Sequence, residues 1–118
     1  MSRSPTTTKP SASVAKGGTD ELANPHPGEI LKQEFLSEIG LSQNQLAQAI
    51  GVPGNRIHAI VNGLRDISAD SDLRLCRFFG LSEGYFLRLQ NAYDTLEAKR
   101  RISDQLTAIK PYKPPQAA

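Results

Sequence analysis

From Pro27 onward, apolar residues recur at helical spacing between glycine stops and serine caps. Ile30, Leu31, Phe35, Leu36 and Ile39 form one stripe, and Gly40 follows as a C-terminal stop, which predicts a first helix from Pro27 to about Ile39. Pro27 suits the first helical position, where its missing N–H costs nothing. Ser42 with Gln45 three residues on has capping-box spacing, so a second helix is expected from Gln43 to about Ile50, with Leu46, Ala47 and Ile50 inward. After Gly51-Val52-Pro53-Gly54 a third helix starts near Pro53 or Gly54, places Ile57, Ile60 and Val61 on one face, and ends at Asn62-Gly63. Ser68 is the expected cap of a fourth helix, with Leu73, Leu75, Cys76, Phe78 and Phe79 leading to Gly80. Ser82 is the expected cap of a fifth, where Tyr85, Phe86, Leu89, Tyr93 and Leu96 recur every three or four residues. Period-two alternation is absent throughout, so the fold class is all-α, with five helices.

The interruption at Gly51 to Gly54 separates two short helices by a tight, glycine-containing turn, which is the helix-turn-helix arrangement. A continuous rod could not place its second half in a DNA major groove while its first half crosses the sugar–phosphate backbone. Gly51 supplies the left-handed residue of the turn, Val52 is the apolar residue inserted between the helices, and Ala47 is small enough for their close approach. The competing structural role is an ordinary helical hairpin in a bundle.

Composition bounds the rest. At 118 residues the chain holds one domain plus tails, and 38% hydrophobic residues with no tryptophan leave a small core. No stretch is long and apolar enough for a membrane span, and the N-terminus has no apolar block of secretory type, so a cytoplasmic protein is expected. Residues 1–23 are rich in Ser, Thr, Lys, Pro and Gly and read as a disordered tail, residues 24–110 as the domain, and residues 111–118 as a proline-rich flexible tail. Cys76 stands alone and reads as a buried small hydrophobe, with no metal site and no cofactor implied. The net charge of +2 announces no partner, but its distribution is uneven. Glu29, Glu34 and Glu38 face Lys32 alone over residues 24–40, whereas Arg56, Arg65, Arg74 and Arg77 are followed later by Lys99-Arg100-Arg101.

Residues 24–94 resemble the HigA-type antitoxins, also called the VapI group, of the phage-repressor-like (XRE) helix-turn-helix proteins. The resemblance rests on HPGEIL at 26–31, NRIHAIVNG at 55–63, ISAD at 67–70, LRLCRFFG at 73–80 and YFLRLQNAYD at 85–94. The chain departs from the group's usual alanine or threonine at Ser71-Asp72 and from its common tryptophan at Phe86. The resemblance implies a five-helix phage-repressor-like domain that represses its own operon and neutralises a RelE-like (HigB-type) toxin that cleaves messenger RNA on the ribosome.

In the phage-repressor layout the start of the third helix reaches base edges, which makes Gly54, Asn55, Arg56, His58 and Ala59 the candidates for readout. Asn55 has the amide for adenine and Arg56 the fork for guanine, Ala59 could touch a thymine methyl, and Gly54 would let the backbone approach. Arg56 has a competing role, an ion pair with Asp66 or Asp70 that holds the fold, and His58 could serve base, phosphate or neither. Gln43, Asn44, Asn62 and Arg65 are candidate phosphate contacts. Useful specificity calls for a homodimer on palindromic operator DNA, with Phe86, Leu89, Tyr93 and Leu96 as its expected interface, although some of these must close the core. A basic RNase toxin calls for an acidic surface, so Glu29, Glu34 and Glu38 are the candidate toxin-binding residues, on a helix that the same layout places across the fold from helix 3.

Enzymatic function has no support in the sequence. Gly51-Val52-Pro53-Gly54 lacks the lysine of a phosphate loop, and His26 and His58 have no partners at ligand or triad spacing. The competing functions are a stand-alone repressor without a toxin and a protein adaptor on the same fold.

Overall fold

Helix α1 starts where expected, but a histidine starts it. In the computed structural model, which describes residues 23–115, His26 is the N-cap and its Nδ1 accepts the Gly28 N–H at 2.9 Å. The rod that follows consists of Pro27–Ile30, a π-helical stretch Leu31–Leu36 and Ser37–Ile39, and is α1 here. In the π stretch the Ser37 N–H donates to the Lys32 carbonyl, five residues back. Ile39, expected in the apolar stripe, is exposed at the end of the rod, and Leu41 beyond Gly40 packs on the core instead.

Helices α2 (Gln43–Ile50), α3 (Gly54–Val61) and α4 (Ala69–Phe79) match their expected spans. Ser42 and Gln45 form the full capping box, at 3.0 Å from the Gln45 N–H to Oγ and 2.9 Å from the Ser42 N–H to Oε1. Gly51 is left-handed at φ 74°, and the Val52 N–H then closes on the Ala47 carbonyl at 3.0 Å, so that Val52 turns into the core beside Ala47.

Helix α5 (Tyr85–Arg101) does not use the expected cap. Ser82 contributes only its carbonyl, to the Tyr85 N–H at 3.2 Å. The cap is Asp72 of α4, which accepts from the N–H groups of Gly84 at 2.7 Å, Phe86 at 2.8 Å and Leu87 at 3.1 Å. Asp72 is 1% exposed, and these donors at the positive end of α5 are what make a carboxylate tolerable there. A break at Ile102 then introduces a short helix beyond the five expected, α6 (Ser103–Ala108).

The core gathers Leu31 and Leu36 of α1, Leu46 and Ile50 of α2, Ile57 and Ile60 of α3, Leu75 and Cys76 of α4, and Phe86 of α5. Cys76 is buried, as expected of a small hydrophobe. Residues 111–115 are exposed and lack regular structure, while the expected N-terminal tail lies outside the described residues up to position 22. Among the described residues no helix is long and apolar enough to cross a membrane.

Candidate nucleic-acid interface

Helices α2 and α3 are joined by the turn at Gly51 and Val52, and their outward residues make the surface of interest. Asn55 and His58 on α3 are exposed and make no side-chain hydrogen bond or ion pair among the described residues. Their neighbours Ile57 and Ile60 are buried, so the helix offers one polar face and anchors the other. Gly54 and Ala59 are half-buried on the same helix. A Cβ at Gly54 would stand 3.0 Å from the Asn44 Oδ1, which brings the start of α2 directly against the start of α3. Gln43 is half-buried, whereas Asn62 and Arg65, beyond α3, are exposed. The structure therefore brings Asn44 against Gly54, sets Asn44 and His58 in the wall of one cleft, leaves Asn55 exposed next to Gly54, and leaves Asn62 and Arg65 at the far end of the helix.

Arg56 takes the competing role named for it. Its guanidinium donates to Asp70 Oδ1 at 2.8 Å, and its side chain is 23% exposed, so it is not presented as a free fork for guanine. The same oxygen accepts from Arg74 Nε at 2.7 Å, and Arg74 also donates to the carbonyls of Ile50 at 2.7 Å and Gly51 at 3.3 Å. One carboxylate thus ties the start of α3 to the end of α2 through two guanidinium groups. The hydrogen bond from Arg56, then that from Arg74, holds the Asp70 carboxyl below its ordinary value. Asp66, the other candidate partner, lies 3.7 Å from His26 instead.

Helix α1 is not remote from α3. Gly28 packs on the end of α3 so closely that a Cβ would fall 1.7 Å from the Ile60 carbonyl oxygen. The layout expectation fails because the two helices meet backbone to backbone at this one end. Glu29, Glu34 and Glu38 are nevertheless all exposed and unpaired among the described residues.

The expected pairing stripe on α5 also needs correction. Phe86 is 0% exposed and sits among Phe35, Phe79 and Tyr85, so it has no surface to offer a second protomer. Leu89, Tyr93 and Leu96 are half-buried. Tyr93 meets His26 edge to face at 5.0 Å, and its carbonyl accepts from Asn24 Nδ2 at 3.1 Å.

Sequence reasoning missed Arg74 as a bridge between helices, Asp72 as a cap and His26 as a cap. Only His26 carried a local signal, since it stands immediately before a proline at N1.

The helix-turn-helix family profile matches residues 31–86. Virulence-associated protein I of Dichelobacter nodosus is 45% identical over 83 residues, covering 70% of this chain and 77% of that protein. Antitoxin HigA-1 of Vibrio cholerae is 31% identical over 84 residues, covering 71% of this chain and 79% of that protein. The structure of Pseudomonas aeruginosa antitoxin HigA with the higBA promoter superimposes with a TM-score of 0.71 at 38% identity, over 75% of this chain and 98% of that one. With its capping box, glycine turn and exposed polar face on α3 in place, the chain belongs to the helix-turn-helix family that includes the HigA antitoxins and virulence-associated protein I.

Proposed function

We propose that this chain is the DNA-binding antitoxin of a toxin–antitoxin pair, which represses its own operon as a homodimer on palindromic operator DNA. The observation that carries the reading is the exposed, internally unpaired Asn55 and His58 on α3, flanked by Asn44 from the start of α2. That arrangement supports insertion of α3 in a major groove, with Gly54, Asn55, His58 and Ala59 facing base edges and Gln43, Asn44, Asn62 and Arg65 near phosphates. The solved relative bound to its promoter supports the same reading. Arg56 contributes by orienting α3 through Asp70.

The second activity is capture of a small RelE-like RNase. A protein that approaches RNA is basic, and the exposed Glu29, Glu34 and Glu38 of α1 offer it a complementary surface. Footprinting on the DNA upstream of its own reading frame, with and without Asn55→Ala and His58→Ala, tests the first activity; protection that survives the double change sinks it. Calorimetry against the product of the adjacent frame tests the second. Glu29→Lys with Glu34→Lys should weaken capture at least tenfold, about 1.4 kcal/mol, while operator affinity holds or improves. An affinity within twofold rejects α1 as the docking surface, and operator binding with no capture at all marks a lone repressor.

A further inference from the structure

Resting on the reading of α2 and α3 as a DNA-binding unit, we infer that Lys32 holds one backbone phosphate of the duplex in a cleft between α1, α2 and α3. The cleft is open, about 470 Å³ in volume, and its polar lining is Lys32 and Ser37 from α1, Ser42, Gln43 and Asn44 around the start of α2, and His58 from α3. No acidic residue lines it, although α1 carries three glutamates elsewhere on its surface. Lys32 makes no ion pair among the described residues.

Two further observations concern the walls of the cleft. The π-helical stretch hydrogen-bonds the Ser37 N–H to the Lys32 carbonyl, and the wider turn puts Lys32, Leu36 and Ser37 on the same side of the rod, toward the cleft. A regular α-helix would swing a residue five positions on well away from its predecessor. The Gln43 Oε1, at the wall of the cleft, is buried without a hydrogen-bond partner. An anionic oxygen in the cleft would meet the ammonium of Lys32 together with the hydroxyl donors of Ser37 and Ser42.

A phosphodiester fits better than a base edge. Lysine is a point charge without the planar fork that reads guanine, and the cleft lies between helices, where the strand passes beside an inserted recognition helix. Lys32 is therefore a positioning contact that fixes the register of α3 in the groove and carries no sequence information itself.

The experiment is fluorescence anisotropy with the full chain on its own upstream duplex and on a scrambled duplex of equal length, across a salt series. Lys32→Ala should weaken both by a similar factor of at least five, leave their ratio unchanged, and lower the salt slope by about 0.9 for each bound protomer, about 1.8 for the dimer. Lys32→Arg should restore most of the loss. Replacing phosphates singly by neutral methylphosphonate should reveal one position in each half-site whose neutralisation weakens the wild type but not Lys32→Ala. Lys32 is exposed, and an unchanged circular-dichroism melt verifies the fold. Affinity within twofold of wild type, an unchanged salt slope, or loss confined to the specific duplex overturns the inference. In those cases loss of discrimination in Asn55→Ala with His58→Ala still leaves the DNA reading standing, whereas a wild-type chain that binds neither duplex removes both.

Discussion

Gly28 and Ile60 meet with no room for a side chain between them: a Cβ on Gly28 would stand 1.7 Å from the Ile60 carbonyl oxygen. Gly28→Ala must therefore push α1 off the end of α3, and neither backbone can yield as a flexible side chain would. Overpacking of this kind costs roughly 3 kcal/mol. Chemical denaturation should show that loss, whereas Gly40→Ala, which meets nothing within 4 Å, should suffer only the strain of its left-handed backbone, about 1 kcal/mol. Equal losses at the two sites would mean that the close contact does not limit the fold.

The long-range cap of α5 gives a second contrast. Asp72→Asn keeps the shape but turns one acceptor oxygen into a donor facing N–H groups, so unfolding free energy should fall on the order of 2 kcal/mol. Ser82→Ala, at the residue that sequence alone nominates, should change it by less than about 0.5 kcal/mol. A larger effect at Ser82 than at Asp72 would contradict the capping seen here.

Acid titration should isolate the Asp70 bridge. Arg56 and Arg74 lower the Asp70 carboxyl in the folded protein, so its stabilisation is complete above the ordinary value of 3.8 and disappears as pH falls through the lower folded value. The melting temperature of the wild type should exceed that of Asp70→Asn at neutral pH, and the gap should close only below about pH 3.8. A gap that stays constant down to pH 2 would show that the carboxylate charge is irrelevant to the bridge.

Assembly can be separated from folding on α5. Leu89→Asp should yield monomers by light scattering and weaken operator binding more than half-site binding. Phe86→Ala should instead cost about 3 to 5 kcal/mol of stability, because its ring is wholly internal. A dimer that persists in Leu89→Asp and in Tyr93→Asp would place the pairing surface elsewhere.

These contrasts mark where sequence was legible. Ser42, Ser68, Gly40, Gly51 and Gly80 act within one helical turn of their own positions, so their spacing alone foretells the boundaries that they set. Asp72 reaches donors twelve to fifteen residues on, and Asp70 answers an arginine fourteen residues back, so these contacts exist only once α4 is packed. Arg56 illustrates the difference: its two roles were both visible in the chain, but folded proximity chose Asp70 over Asp66. Phe86 illustrates another. Apolar spacing on a helix with Tyr85, Leu87 and Leu89 beside it does not say which of them faces inward, and α5 turned out to bury Phe86 fully while leaving Leu89 partly open. Exposure on α3 follows from the buried positions of Ile57 and Ile60, but the placement of Lys32 and Ser37 on one cleft wall depends on a π turn that no periodicity announces.

Helix α3 is gripped at both ends by residues outside it, Gly28 against Ile60 at its close and Asp70 on Arg56 near its start. A rod held this way has little freedom to tilt or slide when it meets a duplex. On the DNA reading, imperfect fit is then absorbed by the DNA, through bending and groove width, and by surface rotamers on α3. Base pairs that no side chain touches would still influence affinity through how readily they deform. The rigidity of one short helix thereby passes part of the selection of binding sites to the mechanics of the double helix.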